Sequence, residues 1–187
     1  MLELKNIAGV FTGMSIREDG HGGASFVRMS DLSDVRSGRT PILARGKVPE
    51  VARAVRLEQG DLVVGARGDA TEVALATSPL IDAFVSVDLY LVRPDRNLVD
   101  PEFLAAFLEQ PAAQAQLASG KQGTGLARLS KLTLDNLLVP LPPLDKQRTI
   151  GSLARCVRGA NELLNRIAAL HAKLGRERVS EAFNKLN

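Results

Sequence analysis

Residues Leu129–Leu174, LSKLTLDNLLVPLPPLDKQRTIGSLARCVRGANELLNRIAALHAKL, decide how this chain is organised. A short leucine-rich segment ends at the prolines of residues 140–143, and an amphipathic pattern follows. Mostly apolar residues then recur every third or fourth position over about three and a half heptads, the spacing of coiled-coil a and d positions. Leu163 and Leu170 widen this stripe at neighbouring g positions. The pattern predicts a long helix whose apolar seam needs a partner. The seam consists of Ile150, Leu153, Val157, Ala160, Leu164, Ile167, His171 and Leu174.

The regular spacing of the seam stops at Leu174. After Gly175 the apolar positions follow a shifted phase, so we expect the helix to end, bend or dock differently there. Residues 145–174 would then be its regular part. Everything before the helix is predicted to form a separate globular head. We therefore divide the chain into a head of residues 1–143 and a long C-terminal helix of residues 144–187.

The composition is typical of a core-forming protein, with 45% hydrophobic and 24% charged residues. A length of 187 residues allows one domain plus an appendage. No basic segment precedes an apolar run at the N-terminus, and no apolar stretch approaches the roughly 18 residues that cross a bilayer. The single cysteine, Cys156, cannot form an internal disulfide. Together these features predict a cytoplasmic protein.

The formal net charge of +3 is distributed unevenly. Residues 145–187 contain nine basic and four acidic side chains, which leaves fifteen basic and seventeen acidic in residues 1–144. A head with this slight acidic excess has no global field that attracts nucleic acid, so any DNA binding must come from local patches. One group of carboxylates in the head either faces a partner or is simply solvated. It consists of Asp82, Asp88, Asp95, Asp100, Glu102 and Glu109.

The head combines strand patterns with helix patterns. Glycine-bounded runs rich in β-branched residues predict strands, and residues 30–34 are expected to form a turn. Asp100 followed by Pro101 predicts a helix N-terminus, and Pro111 interrupts or restarts that helix. The expected fold is therefore an α/β (α+β) head followed by a long α-helix that forms a coiled-coil-like dimer spacer. The main predicted strands are residues 25–29, 62–64, 72–77 and 84–92.

Basic residues cluster in three places in the head. The most cationic run begins at Arg36, Arg67 lies between two glycines, and a second glycine-rich loop follows residue 120. Such residues either form a solvated surface or a flexible connector, or they contact the phosphates of a nucleic acid. The loop has no GxxxxGK[ST] pattern and is not a P-loop. The candidates for DNA contact are Arg36, Arg39, Arg45, Lys47, Arg67, Lys121, Thr124 and Arg128.

The sequence offers little for catalysis or metal binding. Cys156 lies on the predicted helix, far in sequence from any base, and His171 occupies a seam position where it would set register. His21 lies in a glycine-rich loop, where a surface role or a contact with a phosphate or base are both open. No HExxH, CxxC, GxSxG or dinucleotide-binding fingerprint is present. We therefore predict no enzymatic activity and no bound metal for this chain.

Several short motifs occur in a family-specific order. They are LKNIAGVFTGM near the start, FVRMSDL, LEQGDLVVGARG, DLYLVRPDRNLVDPEFLAAFL, and GTGLARLSKLTLDNLLVPLPPLDKQRTI leading directly into the helix. In this order and spacing the chain resembles half of a type I restriction–modification specificity subunit, from about residue 2 to about residue 174. Members of that family usually contain two target-recognition domains, each followed by a long helix, and the two helices pack antiparallel as a spacer.

The resemblance implies a function in target selection. The head would read DNA bases in the major groove, and the chain would dimerise, with itself or with another half-subunit, to recreate the two-domain arrangement. A symmetric dimer would prefer a bipartite, palindromic target with a fixed spacer. The resemblance also implies that a separate modification subunit binds S-adenosylmethionine and methylates adenine, that a restriction subunit joins through it, and that this chain binds no cofactor.

Two other interpretations of the sequence stay open. The chain could be a non-catalytic dimeric scaffold that binds protein partners instead of DNA. It could also be an orphan or decayed specificity fragment whose methyltransferase partner is gone.

Overall fold

The computed structural model describes residues 1–20, 23–37, 39–48, 54–122 and 127–185. Short 3-10 turns at Leu4–Asn6 and Ser78–Leu80 accompany the strands and helices of these ranges. The strands are β1 (Leu2–Glu3), β2 (Ala8–Thr12), β3 (Arg17–Glu18), β4 (Ala24–Val27), β5 (Ala44–Lys47), β6 (Leu62–Gly65), β7 (Val73–Leu75), β8 (Phe84–Val85), β9 (Leu89–Pro94), β10 (Lys121–Gln122), β11 (Arg128–Leu129) and β12 (Leu138–Val139). The helices are α1 (Met29–Arg36), α2 (Pro101–Leu108), α3 (Pro111–Ser119), α4 (Lys131–Asp135) and α5 (Leu144–Asn184).

Two four-stranded sheets form the body of the head. The first has the order β2-β9-β6-β7 and is antiparallel throughout. The second has the order β3-β5-β4-β8, and its β4–β8 pair is parallel. Two-stranded ribbons, β1–β12 and β10–β11, complete the head. The fold class predicted from the sequence, a mixed α/β head followed by a long helix, is confirmed.

The first sheet is buried on both faces, which explains why β6 is apolar without alternation. Leu62 and Val64 point into a core that includes Phe103 and Leu104 of α2. Val63, between them, points into a second core that includes Leu32 of α1. Because successive side chains of a strand project to opposite faces, a strand between two cores must be apolar at every position.

One predicted strand and one predicted turn differ in the structure. The run of residues 84–92 divides at residues 86–88, so that β8 joins the second sheet and β9 joins the first. The expected turn at residues 30–34 is wrong, because these residues belong to α1. The backbone N–H of Arg28 donates to the buried carboxylate of Asp31 at 2.8 Å, which ties the residue before the helix to its first turn.

The predicted start of α2 is confirmed. Asp100 is the N-cap, and its carboxylate accepts from the backbone N–H of Phe103 at 3.0 Å. Pro101 occupies the first turn, and Pro111 starts α3 as a new helix. These caps matter for the site, because the N-terminus of α2 is the surface on which α5 docks.

Helix α5 has 41 residues, a length of about 60 Å at 1.5 Å per residue. Of the three outcomes expected at Gly175, an end of the helix is contradicted, because the helix continues to Asn184. A glycine inside a helix costs only about 1 kcal/mol relative to alanine, so a single one does not end a long helix. No helix in the described part of the chain is long and apolar enough to cross a membrane.

Candidate nucleic-acid interface

Strand β5 carries the first group of predicted DNA contacts. Arg45 and Lys47 are two residues apart, so both side chains project from one face of the second sheet, and both are exposed. Gly46 faces the other side, where a Cβ would lie 2.7 Å from the carbonyl oxygen of Arg17. The antiparallel register pairs Arg17 with Lys47, which brings a third cation onto the exposed face. We call Arg17, Arg45 and Lys47 the basic face.

Asp88 organises the second group. Its Oδ1 accepts from Nε of Arg67 at 2.6 Å and from Nη1 of Arg128 at 3.3 Å. Arg128 also donates from Nη2 to the carbonyl of Val87 at 2.6 Å. One carboxylate between two guanidinium groups leaves a net charge of +1, and charge-assisted bonds fix both arginines in orientation. The two arginine side chains are 39% and 37% exposed, so they retain donors for a phosphate or a base edge.

The backbone around this group is tied together by a hairpin. Strand β11 joins the end of β6, because Leu129 donates its N–H to the carbonyl of Ala66 at 2.8 Å. Lys121 of β10 donates from Nζ to the carbonyls of Gly68 and Asp69 at 2.6 and 2.8 Å. Burial lowers the pKa of Lys121, and the nearby charge of Asp69 opposes that shift. The cationic head of Lys121 is thus engaged in holding the loop rather than extended into solvent.

One of the predicted contact residues, Thr124, lies outside the described ranges. Thr124 belongs to the segment that connects β10 to β11, and its place in the site stays a prediction. The same holds for His21, for which the sequence left a surface role and a nucleic-acid contact open.

Arg36 and Arg39 lie elsewhere, at a cleft of about 660 Å³ between the head and α5. The cleft is lined by the end of α1, by β7, by α2 and by the fourth and fifth turns of α5. Arg39 forms an ion pair with Asp34 at 2.6 Å. None of the other described contact candidates lines this cleft. The predicted DNA contacts therefore form two groups, with Arg36 and Arg39 apart from both.

Helix α5 is fixed to the head by a buried glutamine. Gln147 is only 1% exposed. Its Oε1 accepts from the backbone N–H of Asp100 at 2.9 Å, and its Nε2 donates to the carbonyls of Leu98 and Pro142 at 3.1 and 2.8 Å. All three bonds join the first turn of the helix to main-chain groups of the head. They therefore fix the position of the helix on the head.

Two further residues extend this junction along α5. A Cβ on Gly151 would lie 2.7 Å from Oδ1 of Asp100 and 2.9 Å from the backbone nitrogen of Phe103. Only glycine therefore permits so close an approach to the start of α2. Two turns further on, Arg158 forms an ion pair with Glu102. Because Gln147, Gly151 and Arg158 lie on one face of α5, that face is the one that meets the head.

The seam lies on a different face of α5. All eight of its residues are exposed, and the large apolar ones are between 44% and 66% exposed, the limits being Ile150 and Leu153. At 100° per residue the centre of the seam lies about 140° around the helix from the face that meets the head. The head therefore leaves the seam uncovered.

Most of the acidic group singled out in the sequence has a contact within the chain. Asp88 holds the two arginines, Asp100 caps α2, and Glu102 pairs with Arg158. Asp95 accepts from the backbone and side chain of Asn97 at 3.0 and 3.1 Å. These contacts account for four of the six carboxylates within the chain.

Sequence reasoning missed Arg17 and the orienting role of Asp88. Asp88 is separated from its two arginines by 21 and 40 residues, so no local pattern joins them. The alternation of side chains along β5 predicts that Arg45 and Lys47 share a face. The position of Arg17 on that face follows only from the pairing of β3 with β5. In the described part of the chain, no group of His, Cys, Asp and Glu side chains could hold a metal ion.

Comparison with known proteins identifies the family. A family model for the type I restriction modification DNA specificity domain matches residues 17–169. This chain belongs to that family. The family is non-catalytic, and partner subunits carry the catalytic activity, so the prediction that the chain is not an enzyme is confirmed. No curated protein sequence matches.

Three solved structures share the fold of this specificity domain. One, described as showing complex assembly and conformational transition of a type I R-M system, is 22% identical with a TM-score of 0.66 and covers 94% of this chain. The HsdS subunit from Thermoanaerobacter tengcongensis is 22% identical with a TM-score of 0.59 over 89% of this chain. The type I restriction-modification S subunit from M. genitalium is 14% identical with a TM-score of 0.60 over 94%. The matched regions span 42%, 38% and 42% of those three chains.

Proposed function

We propose that this chain is a half-length specificity subunit that reads one half of a bipartite DNA target and dimerises to read the whole. The observation that carries the proposal is the seam of α5, which stays exposed although the helix is docked on the head at Gln147 and Gly151. An apolar stripe of this length in water requires a partner surface. A second copy is a partner that supplies a matching stripe.

The dimer would be two-fold symmetric with antiparallel helices. A two-fold axis through the middle of the seam, at Glu162, places Leu174 of each copy beside Ile150 of the other. The two Gln147 junctions then lie about 45 Å apart along the helix pair, at 1.5 Å per residue. Such an axis also keeps both heads on the same side of the pair, where one DNA duplex can reach both. Half-sites somewhat more than one turn of DNA apart, and palindromic, would fit this arrangement.

Within each head, one group of residues would contact phosphates and another would recognise bases. The basic face of Arg17, Arg45 and Lys47 would contact phosphates, which gives affinity without sequence preference. Arg67 and Arg128, held by Asp88, have the fixed orientation that recognition of guanine O6 and N7 requires. Lys121, and Thr124 in the adjoining loop, would shape the position of this second group. Arg36 and Arg39 are proposed only as secondary phosphate contacts, since they lie at the cleft beside α5.

The catalytic partners would be separate chains in the cytoplasm. A modification subunit that binds S-adenosylmethionine would methylate adenine at the site that the dimer selects, and a restriction subunit would join through it. The dimer would therefore act as the scaffold that brings two catalytic subunits to two half-sites.

The deciding experiment is to co-express this chain with a type I modification subunit from the same genome, and to map the methylated motif in genomic DNA by sequencing. We expect one bipartite, palindromic motif with a fixed spacer. Methylation that depends on the chain but falls on an asymmetric motif would indicate pairing with a different half-subunit. Absence of DNA binding by the purified chain even at low salt would overturn the proposal and leave the protein-binding scaffold.

A further inference from the structure

An exposed valine lies at the corner of a tight turn between β8 and β9. Leu89 donates its backbone N–H to the carbonyl of Ser86 at 2.9 Å, which closes a four-residue turn with Val87 and Asp88 at its two corners. Such corners usually hold glycine, proline, asparagine, aspartate or serine. Asp88 fits this preference, but Val87 is β-branched and apolar, and it is 42% exposed. Neither the turn nor a core therefore accounts for a valine at this position.

The turn is fixed in position by its surroundings. Ser86 donates its backbone N–H to the carbonyl of Val27 in β4 at 2.9 Å, and the carbonyl of Asp88 accepts from the backbone N–H of Ala66 at 2.8 Å. A Cβ on Gly13 would overlap the carbonyl oxygen of Ser86, so a third segment of backbone packs directly against the turn. Because three segments of the head hold the turn, the side chain at its corner projects from a fixed point.

The same turn carries the two oriented arginines. The carboxylate of Asp88 accepts from Arg67 and Arg128, and the carbonyl of Val87 accepts from Nη2 of Arg128 at 2.6 Å. The guanidinium group of Arg128 therefore lies against the main chain of the residue that carries the exposed valine side chain. Arg67 and Arg128 are also joined by a main-chain bridge. One small surface thus presents two arginines with fixed donors and an apolar side chain beside them.

The base edges in the major groove offer one methyl group for an apolar side chain to contact. It is the C5 methyl group of thymine, whereas the other three bases are recognised there through hydrogen-bond donors and acceptors. Successive base pairs lie about 3.4 Å apart along the duplex. An apolar side chain beside an arginine that binds guanine would therefore meet the base pair next to that guanine.

We propose that Val87 is a specificity-determining residue that contacts the C5 methyl group of a thymine in the base pair next to the guanine bound by Arg67 or Arg128. This inference rests on the proposed function and deepens it, because it names a base that the oriented arginines do not recognise. Each half-site would then contain a T·A pair adjacent to a G·C pair.

Replacing thymine by deoxyuridine tests the contact without any change to the protein, because only the C5 methyl group is removed. In the motif mapped by methylation, each thymine of the half-site is replaced in turn, on either strand. Fluorescence anisotropy then measures binding of the purified full chain. We expect one replacement to weaken binding roughly threefold to tenfold, the effect of losing the burial of a methyl group. Replacing the thymines of the spacer is the control and should leave the affinity unchanged.

A variant then assigns the methyl contact to the valine. Val87→Ala should weaken binding to the all-thymine motif by a similar factor and leave binding to unrelated DNA unchanged. In this variant the deoxyuridine replacement should cost less than about twofold, because the side chain that contacts the methyl group is already shortened. Val179→Ala makes the same substitution at an exposed valine of α5 and should keep the full response to deoxyuridine.

Three results would overturn the inference while leaving the proposed function intact. The first is a mapped half-site without a T·A pair beside a G·C pair. The second is an affinity that deoxyuridine leaves unchanged at every thymine of the half-site. The third is an equal loss with deoxyuridine in the wild-type chain and in Val87→Ala, which would assign the methyl group to another residue. If the wild-type chain binds the mapped motif no more tightly than unrelated DNA, the proposed function is wrong and this inference with it.

Discussion

The head and helix α5 differ in how far their apolar side chains are buried. The head folds around two cores, and its central strand β6 is buried at every residue. Helix α5 carries a comparable density of apolar residues, yet apart from its first turns almost all of them are exposed. The head buries its apolar surface within one chain, whereas in the proposed dimer the helix would bury its stripe against a second copy.

The same contrast applies to polar groups. In the head, Asp88 and Glu102 each have partners that are distant in sequence. On α5 beyond residue 162, the described ion pair is that of Lys173 with Glu177, an exposed pair one turn apart with 3.8 Å between the charges. Such a pair contributes only a few tenths of a kcal/mol. The difference is that the head holds its carboxylates through contacts between elements, whereas the described ion pair on this part of α5 lies within the helix itself.

The largest expected effect comes from charging the seam. Leu164→Asp/Ile167→Asp should convert the dimer into a monomer, because four apolar side chains per dimer lose burial worth at least about 6 kcal/mol in total. Sedimentation velocity measures the result. Asn165→Asp/Ala169→Asp adds the same charges to the opposite face of α5 and should remain dimeric. An unchanged sedimentation profile for the seam variant would contradict the proposal that the seam of α5 is buried in a dimer.

The next effect concerns the place where the two regions meet. Gly151→Ala should destabilise the docking of α5 on α2 by about 1–3 kcal/mol, because the new Cβ overlaps the backbone nitrogen of Phe103. Urea unfolding followed by circular dichroism measures this. Gly175→Ala is the matched control, since nothing lies within 4 Å of its Cβ position. It should be neutral or stabilise the helix by up to about 1 kcal/mol. Equal effects of both substitutions would mean that the junction is not tightly packed.

A smaller effect, on the affinity for DNA, is expected for Asp88→Asn. The direction of this change distinguishes a role in orientation from a role in charge. If only charge mattered, removing a carboxylate would strengthen DNA binding. We expect instead about tenfold weaker binding to the methylated motif, because Arg67 and Arg128 lose the group that orients them. Binding to unrelated DNA should stay equal or rise. Fluorescence anisotropy with both DNAs measures the two affinities. Glu177→Gln removes a negative charge from α5 and should change neither of these two affinities.

The smallest effect is expected on the basic face. Lys47→Ala should weaken binding a few-fold for all DNA sequences alike, and should lower the slope of log affinity against log salt by about 0.9. A salt titration of binding measures the slope. Lys173→Ala removes the same charge from α5 and should leave it unchanged. A loss confined to the methylated motif would instead assign Lys47 to base recognition.

Much of the fold could be predicted from local patterns. The cap at Asp100, the restart at Pro111 and the strand at residues 62–64 are each specified by residues within a few positions. The turn expected at residues 30–34 was wrong because serine and aspartate favour both turns and helix starts. Only the buried contact of Asp31 with Arg28 decides between them. Of the outcomes expected at Gly175, only an end of the helix is contradicted, because one weak helix former does not stop a helix of this length.

Less of the candidate site than of the fold could be predicted from the sequence. Arg45 and Lys47 follow from alternation along one strand, but Arg17 joins them through a cross-strand register. Arg36 and Arg39 belong to the same basic run in sequence, yet they lie beside α5 instead. Cationic composition alone cannot distinguish these faces.

By itself, the sequence determined the family, the division into head and helix, and the seam, because all three depend on order and on periodicity along the chain. The tertiary structure alone decided which face of α5 meets the head, and therefore that the seam is left free. It also decided that Asp88 joins Arg67 to Arg128. Those features depend on contacts between residues far apart in the chain, made by hydrogen bonds and close approach that no periodic pattern encodes. The stretch from Leu129 to Leu174 thus specifies a helix with an apolar seam, and the docking of Gln147 and Gly151 on the head leaves that seam exposed.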